Sequence, residues 1–242
     1  MEKYYVFIIL AFVSEVLGTI SGFGSSILFV PIASLFFDFK SVLGITAVFH
    51  VFSNLSKIAL FRNGINKYIA LKLGIPAVIF VTIGAYITTF LPTQQIELAM
   101  NFILVFLAIY FMVNFNKTVQ QTDTNLYIGG IASGFIAGIA GTGGAIRGIT
   151  LTAFKMPKEI FIATSALIDL GVDTSRAIVY TSNGYFKKEY LFLIPFLIGI
   201  SILGSYVGKK ILQKTSETVF RYIVLGIIIL TALFQIIKYV MK

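Results

Sequence analysis

Gly18-Thr-Ile-Ser-Gly22-Phe-Gly24-Ser-Ser-Ile27 and Gly138-Ile-Ala-Gly141-Thr-Gly143-Gly144-Ala-Ile-Arg147 are two glycine-rich breaks, each set in a long apolar run. Gly22 and Gly141 stand 119 positions apart. A break in a membrane helix frees backbone N–H and C=O groups, which in hydrocarbon need a ligand, a water cavity or protein partners. Paired breaks in corresponding places of two halves are a sequence pointer to a transport site. The two stretches therefore bear on fold and function together.

The surrounding composition fits that setting. Of 242 residues, 57% are hydrophobic and 12% charged, with a mean hydropathy of +0.93. A soluble domain carries roughly 25% charged residues, and stretches of roughly 18 or more apolar residues read as membrane spans. The sequence predicts an all-α, polytopic protein of the cell membrane, with no soluble domain to carry an activity. The net charge of +9 does not indicate nucleic acid. The basic residues fall in short loops and at helix ends (Lys67, Lys72, Lys187, Lys188, Lys209, Lys210, Lys238, Lys242), as expected beside anionic lipid. Cysteine is absent and His50 is the one histidine, so thiol chemistry, an iron–sulfur site or an ordinary zinc site is not expected, and no cofactor is implied. The N-terminal run lacks a small-x-small cleavage site before a polar mature chain and reads as an uncleaved first helix.

Turn and charge signals divide the chain into apolar segments at 4–20, 24–37, 41–61, 68–91, 95–115, 126–140, 144–155, 159–181, 188–209 and 216–240. Asn-Gly turns occur at 63–64 and 183–184. The breaks are not the only matches between halves. At the same offset Thr46-Ala47 meets Ser165-Ala166, His50 meets Asp169, Asn54…Lys57 meets Asp173…Arg176, and Pro76 meets Pro195. We therefore expect two homologous repeats of about four membrane segments each, at 1–115 and 126–242, joined by a polar linker at 116–125. Segments 24–37 and 144–155 are too short to cross the roughly 30 Å hydrocarbon core. Each is the continuation of an interrupted helix, which gives parallel repeats, or the return arm of a helical hairpin, which gives inverted ones. Loop charge does not separate the two; inverted repeats are the expectation, with hairpin tips meeting at mid-membrane.

A helix start offers unpaired N–H groups and a partial positive charge, a natural anion seat. The candidate substrate-binding residues are accordingly Gly22, Gly24, Ser25 and Ser26 at the first break and Gly141, Thr142, Gly143, Gly144 and Arg147 at the second. Close helix packing is the competing reading of the glycines. Arg147 suits an oxyanion through its fixed fork of donors, or else pairs with Asp169 or Asp173; its counterpart in the first half is Leu28. Asp169, Asp173 and Arg176 share one helix face. Asp173 and Arg176 read as a structural ion pair, whereas Asp169, with His50 and Glu15, is a candidate proton or ion relay. No Gly-x-x-x-x-Gly-Lys-[Ser/Thr] stretch is present, and Asp169 and Asp173 stand on one helix without a Gly-x-Gly-Asp motif. Neither ATP hydrolysis by that route nor intramembrane aspartyl proteolysis is expected, and the chain does not read as an enzyme.

In the order and spacing of these motifs the chain resembles the sulfite exporter TauE/SafE family of membrane permeases. The resemblance rests on Gly18…Gly22-Phe-Gly24-Ser-Ser-Ile-Leu-Phe-Val-Pro31, the Gly44-Ile-Thr-Ala stretch, the Arg62-Asn-Gly64 turn, Gly134…Gly141-Thr-Gly-Gly144, Ala163-Thr-Ser-Ala and Asn183-Gly184. It covers almost the whole length. Ser25-Ser26 replaces the usual further glycines of the first break, and Thr150 stands where the first half has Pro31. The resemblance implies movement of sulfite, sulfonates or related sulfur oxyanions across the cytoplasmic membrane.

The expected function is thus secondary transport of a small anion by alternating access, with protons or sodium as candidate coupling ions and a homodimer left open. The competing expectation is a non-transporting assembly or sensor subunit whose glycines serve packing alone.

Overall fold

The computed structural model describes residues 2–61, 64–113 and 120–214, with single positions at 216, 229, 233 and 237. The expected segment 216–240 lies almost entirely outside the described residues, as do Arg62, Asn63 and positions 116–119 of the linker. Every regular element among the described residues is helical: α1 (Glu2–Ser21), α2 (Ser26–Ala33), α3 (Phe39–Leu60), α4 (Lys67–Ile87), α5 (Thr93–Val113), α6 (Asp123–Ala140), α7 (Gly144–Thr152), α8 (Lys158–Ser182) and α9 (Leu193–Leu212). Single-turn 3₁₀ pieces stand at Thr88–Phe90 and Lys188–Tyr190.

The helix starts follow local chemistry. Asp38, Asn66 and Thr122 each accept a hydrogen bond from the backbone N–H three residues on, satisfying an otherwise orphaned donor of α3, α4 and α6. The cap at Thr122 begins α6 three residues before the expected apolar segment, whose polar first turn hides it from a hydropathy reading. Residues 188–192 form a short 3₁₀ piece and turn before α9, not its first turn.

Among the described residues, four helices are long and apolar enough to cross a membrane: Tyr4–Ser21, Phe39–Leu60, Lys67–Phe90 and Leu193–Leu212. Large apolar side chains face outward around an interior that is mainly apolar but also holds charged groups. Tyr68, Leu71, Ile75, Ile79, Ile83 and Tyr86 point outward along α4, while Glu15, Lys57, Arg147 and Arg176 are buried. A bilayer, not water, suits that arrangement.

Both short helices are return arms. In the first hairpin, Gly18 of α1 lies against the backbone of Ser25. Further back, Phe7 packs edge-on against Phe29 of α2 and against Phe37 just beyond it, with ring centroids 5.6 and 4.9 Å apart. In the second, Gly143 abuts Ser133 and Ala137, and Thr150 abuts Gly129. The chain thus doubles back at each break, and the interrupted-helix alternative does not hold for these segments. Gly22, Gly24 and Gly141 take left-handed φ of 70°, 87° and 76° at the reversals, a region that side-chain-bearing residues rarely adopt.

Contacts between helices set their relative directions. Gly130, Gly134 and Gly138 of α6 lie in turn against Leu73, Ala77 and Val81–Ala85 of α4, so the two run parallel. Gly204 and Gly208 of α9 meet Phe12–Glu15 and Val16–Thr19 of α1, again in parallel. In both pairs the glycines bring backbones into contact, which stabilises association where no hydrophobic effect operates between helices. At the centre α3 and α8 run antiparallel: Gly44 lies against Tyr185, Asn54 bonds Asp173, and the Asn66 N–H bonds the Thr164 hydroxyl.

Candidate functional site

The two hairpin tips meet beside α3 and α8. The Ser26 hydroxyl donates to Thr142 Oγ1 across the junction at 3.3 Å. Gly144 lies so close to the Phe23 carbonyl that a Cβ there would overlap it. The starts of α2 and α7, at Ser25–Ser26 and Gly143–Gly144, carry no side-chain cap. A helix start without such a cap is where backbone N–H groups can meet an anion.

Three carboxylates and three cationic side chains surround this junction. Arg147, 4% exposed, forms an ion pair with Asp169, donates through Nε to Ser165 Oγ at 2.9 Å, and lies 3.5 Å from the Phe23 carbonyl through Nη2. The choice of pairing left open by spacing falls to Asp169. Asp173 accepts from Arg176 Nε and from Asn54 Nδ2, both at 2.7 Å. Arg176 also donates to the Gly141 carbonyl at 2.5 Å, and the Tyr180 hydroxyl donates to the Gly138 carbonyl at 2.5 Å. These bonds satisfy carbonyls that the end of α6 leaves without helical partners, and place a cation at its negative dipole end.

Glu15 has no solvent exposure and more partners than any other acidic residue here. It pairs with Lys57 at 2.9 Å and accepts from the hydroxyls of Ser25, Ser53 and Ser205 at 2.6, 2.7 and 2.8 Å, with Thr19 more distant at 3.4 Å. His50 does not face Asp169. Its Nε2 is 2.8 Å from Ser25 Oγ and its Nδ1 is 3.5 Å from Arg176, so it bridges the Glu15 and Asp173 clusters.

A polar cavity of about 20 Å³ lies between these groups, room for roughly one water molecule. Gly24, Ser25, Ser26, His50, Gly141, Gly143, Gly144, Arg147, Asp169, Asp173 and Arg176 all border it. The structure thus brings together most of the residues singled out from sequence. Thr142 stands at the tip contact, Glu15 lies behind Ser25, and Gly22 packs beneath the Phe161 ring. A smaller cavity of about 10 Å³ leads from Gly24 and Asp169 toward Gly22 and Ile162.

Sequence reasoning missed Lys57, Asn54, Ser53, Ser165 and Ser205 as parts of this centre. Lys57 and Asn54 carried a signal, since they match Arg176 and Asp173 in the repeat register. Ser165 carried the same kind of signal, matching Thr46, whereas Ser53 and Ser205 carried none, because a lone serine in an apolar helix reads equally well as a back-bonded residue.

Helices with an apolar exterior around a buried, charge-balanced polar centre define an integral membrane protein. A profile of the family described as Sulfite exporter TauE/SafE matches residues 6–234, and the chain belongs to that family. The chain is similar to the probable membrane transporter protein MJ0441 of Methanocaldococcus jannaschii, 28% identical across 95% of this chain and 94% of that protein. It is also similar to the probable membrane transporter protein YdhB of Bacillus subtilis, 24% identical across 89% and 93% respectively. No solved structure matches. The protein is a membrane transporter.

Proposed function

We propose that this chain is a multi-pass cell-membrane secondary transporter of a small sulfur oxyanion, sulfite or a sulfonate, working by alternating access between two inverted repeats. The observation that carries the anion reading is Arg147. A buried guanidinium stands one turn into α7, where two uncapped helix starts and the opposite hairpin tip converge. Guanidinium and backbone N–H groups together suit a compact oxyanion. The polar cavity at the tips also speaks for transport over an assembly role, in which the glycines would meet in dry contact.

The inverted architecture is supported by the antiparallel run of α3 against α8, and by the matching parallel pairs α4 with α6 and α1 with α9. Asn54 and Asp173, equivalent in the repeat register, are hydrogen-bonded to each other. Equivalent residues that touch lie on a two-fold axis. An amide facing a carboxylate there avoids the repulsion of two carboxylates at one point. The anion site itself would be asymmetric, since Leu28 holds the position equivalent to Arg147.

A water-sized cavity is a closed state, so admitting a substrate requires one hairpin and its supporting helices to move against the other. The test is flux in proteoliposomes with sulfite, sulfonates and thiosulfate, with Arg147→Ala beside the wild type. Losing a charge-assisted bond costs about 1.5–3 kcal/mol. Anion affinity should thus fall roughly 10- to 100-fold, with far less effect on expression. Absence of saturable flux for every oxyanion would sink the proposal.

A further inference from the structure

The three carboxylates of the centre are not equivalent. Glu15 is held by Lys57 and by serine hydroxyls, and Asp173 by Arg176 and Asn54. Among the described residues the one hydrogen bond to Asp169 comes from Arg147. Asp169 is also the most accessible of the three, its side chain 13% exposed against 8% for Asp173 and 0% for Glu15. It alone of the three borders both cavities. The carboxylate with the fewest bonds and the readiest water access therefore sits on the guanidinium that the proposed function assigns to the substrate.

We propose that Asp169 is the protein's own stand-in for the substrate: its carboxylate occupies Arg147 while the site is empty, and one proton on it releases the guanidinium to a monovalent oxyanion. The inference rests on the anion-transport reading and adds the coupling ion and its stoichiometry. The charged groups facing Asp169 are Arg147 from α7, Lys57 from α3, and Asp173 and Arg176 along α8. Glu15 of α1 lies behind Lys57, and His50 of α3, taken as neutral, completes the set. The three cations balance the three carboxylates. A net charge within a membrane is costly, so an entering monoanion is matched by one proton on the carboxylate it displaces. The O–H bond forms at Asp169 on one side and breaks on the other, and proton and anion cross together without net charge.

Methanesulfonate is a suitable probe because it stays monovalent across the working range, unlike sulfite. In proteoliposomes of the full chain, a one-unit pH gradient, acid outside, should drive about tenfold accumulation. An imposed potassium-diffusion potential should leave that accumulation unchanged. Asp169→Asn should abolish gradient-driven accumulation. In detergent, the anion-induced rise in unfolding temperature should grow as pH falls in the wild type and become independent of pH in Asp169→Asn. Asp169→Glu, which keeps the proton site, should retain the pH dependence and guards against a merely structural loss. Accumulation that follows voltage, or Asp169→Asn still concentrating the probe tenfold, overturns the proposal while leaving anion transport standing. No saturable flux of methanesulfonate or sulfite by the wild type removes the transporter reading and this proposal with it.

Discussion

Breaking the Glu15–Lys57 pair should destabilise the protein asymmetrically, and the asymmetry can be worked from the contacts. Removing Lys57, as Lys57→Met, leaves Glu15 with hydroxyls from Ser25, Ser53 and Ser205 within 2.8 Å. Removing Glu15, as Glu15→Leu, leaves the Lys57 ammonium, 6% exposed, with Ser53 at 2.7 Å as its remaining described bond. It also strands the serine hydroxyls that pointed at the carboxylate. Deleting one partner of a buried pair costs about 3–5 kcal/mol. Glu15→Leu should lie at the upper end of that range, and Lys57→Met near or below its lower end. Replacing both partners by apolar groups removes the uncompensated charge, so the double variant should be less damaged than Glu15→Leu alone. Equilibrium unfolding by SDS in mixed micelles, applied to all four proteins, measures the cycle. Additive losses, or a larger cost for Lys57→Met than for Glu15→Leu, would refute the reasoning that Lys57 depends on this one carboxylate.

Gly134→Ala puts a methyl group into the backbone of Ala77 on α4; overpacking of this kind costs about 1–3 kcal/mol, and the unfolding temperature in detergent should drop, whereas Gly199→Ala on α9, where a Cβ meets nothing, should leave it nearly unchanged. Outside the membrane core, burial opposes ionisation of Asp38, but the Ser41 hydroxyl and N–H and the Lys187 ammonium outweigh it and hold the carboxyl below its usual value of 3.8. A lowered carboxyl stabilises the fold above its unfolded value and loses that contribution as pH falls through its folded value. Lys187 and Asp38 are half exposed at 3.0 Å, so Lys187→Ala should cost only about 0.2–1 kcal/mol. Thermal unfolding at pH 6 should separate this variant from wild type, and the gap should close below 3.8; a gap that widens in acid contradicts the assignment.

Much of the fold was legible because hydropathy and glycine placement are local signals. The apolar runs carried the spans, and the matching breaks marked both hairpin tips and most of the residues around the central cavity, without deciding between a reversal and an interrupted helix. The capped start of α6 escaped because Thr122 and Asp123 are polar and lie inside what reads as a linker. Arg147 was legible as an anion ligand or an ion-pair partner, but its spacing from Asp169 and Asp173 allows either. Glu15 was legible as a relay candidate but its partners were not, because Lys57 and Ser53 approach it from α3 and Ser205 from α9, and no pattern in one helix announces that meeting.

Composition and periodicity by themselves determined a helical membrane protein with two glycine-rich breaks, since the lack of water in a bilayer allows so few solutions for the backbone. Tertiary structure alone decided that the short helices fold back, that α3 and α8 oppose each other, and which carboxylate holds which cation. Ion pairing in a low-dielectric interior depends on ångström-scale distances between helices. Those distances are set where Gly134 meets Ala77 and Gly144 meets Phe23, contacts between residues far apart in the chain.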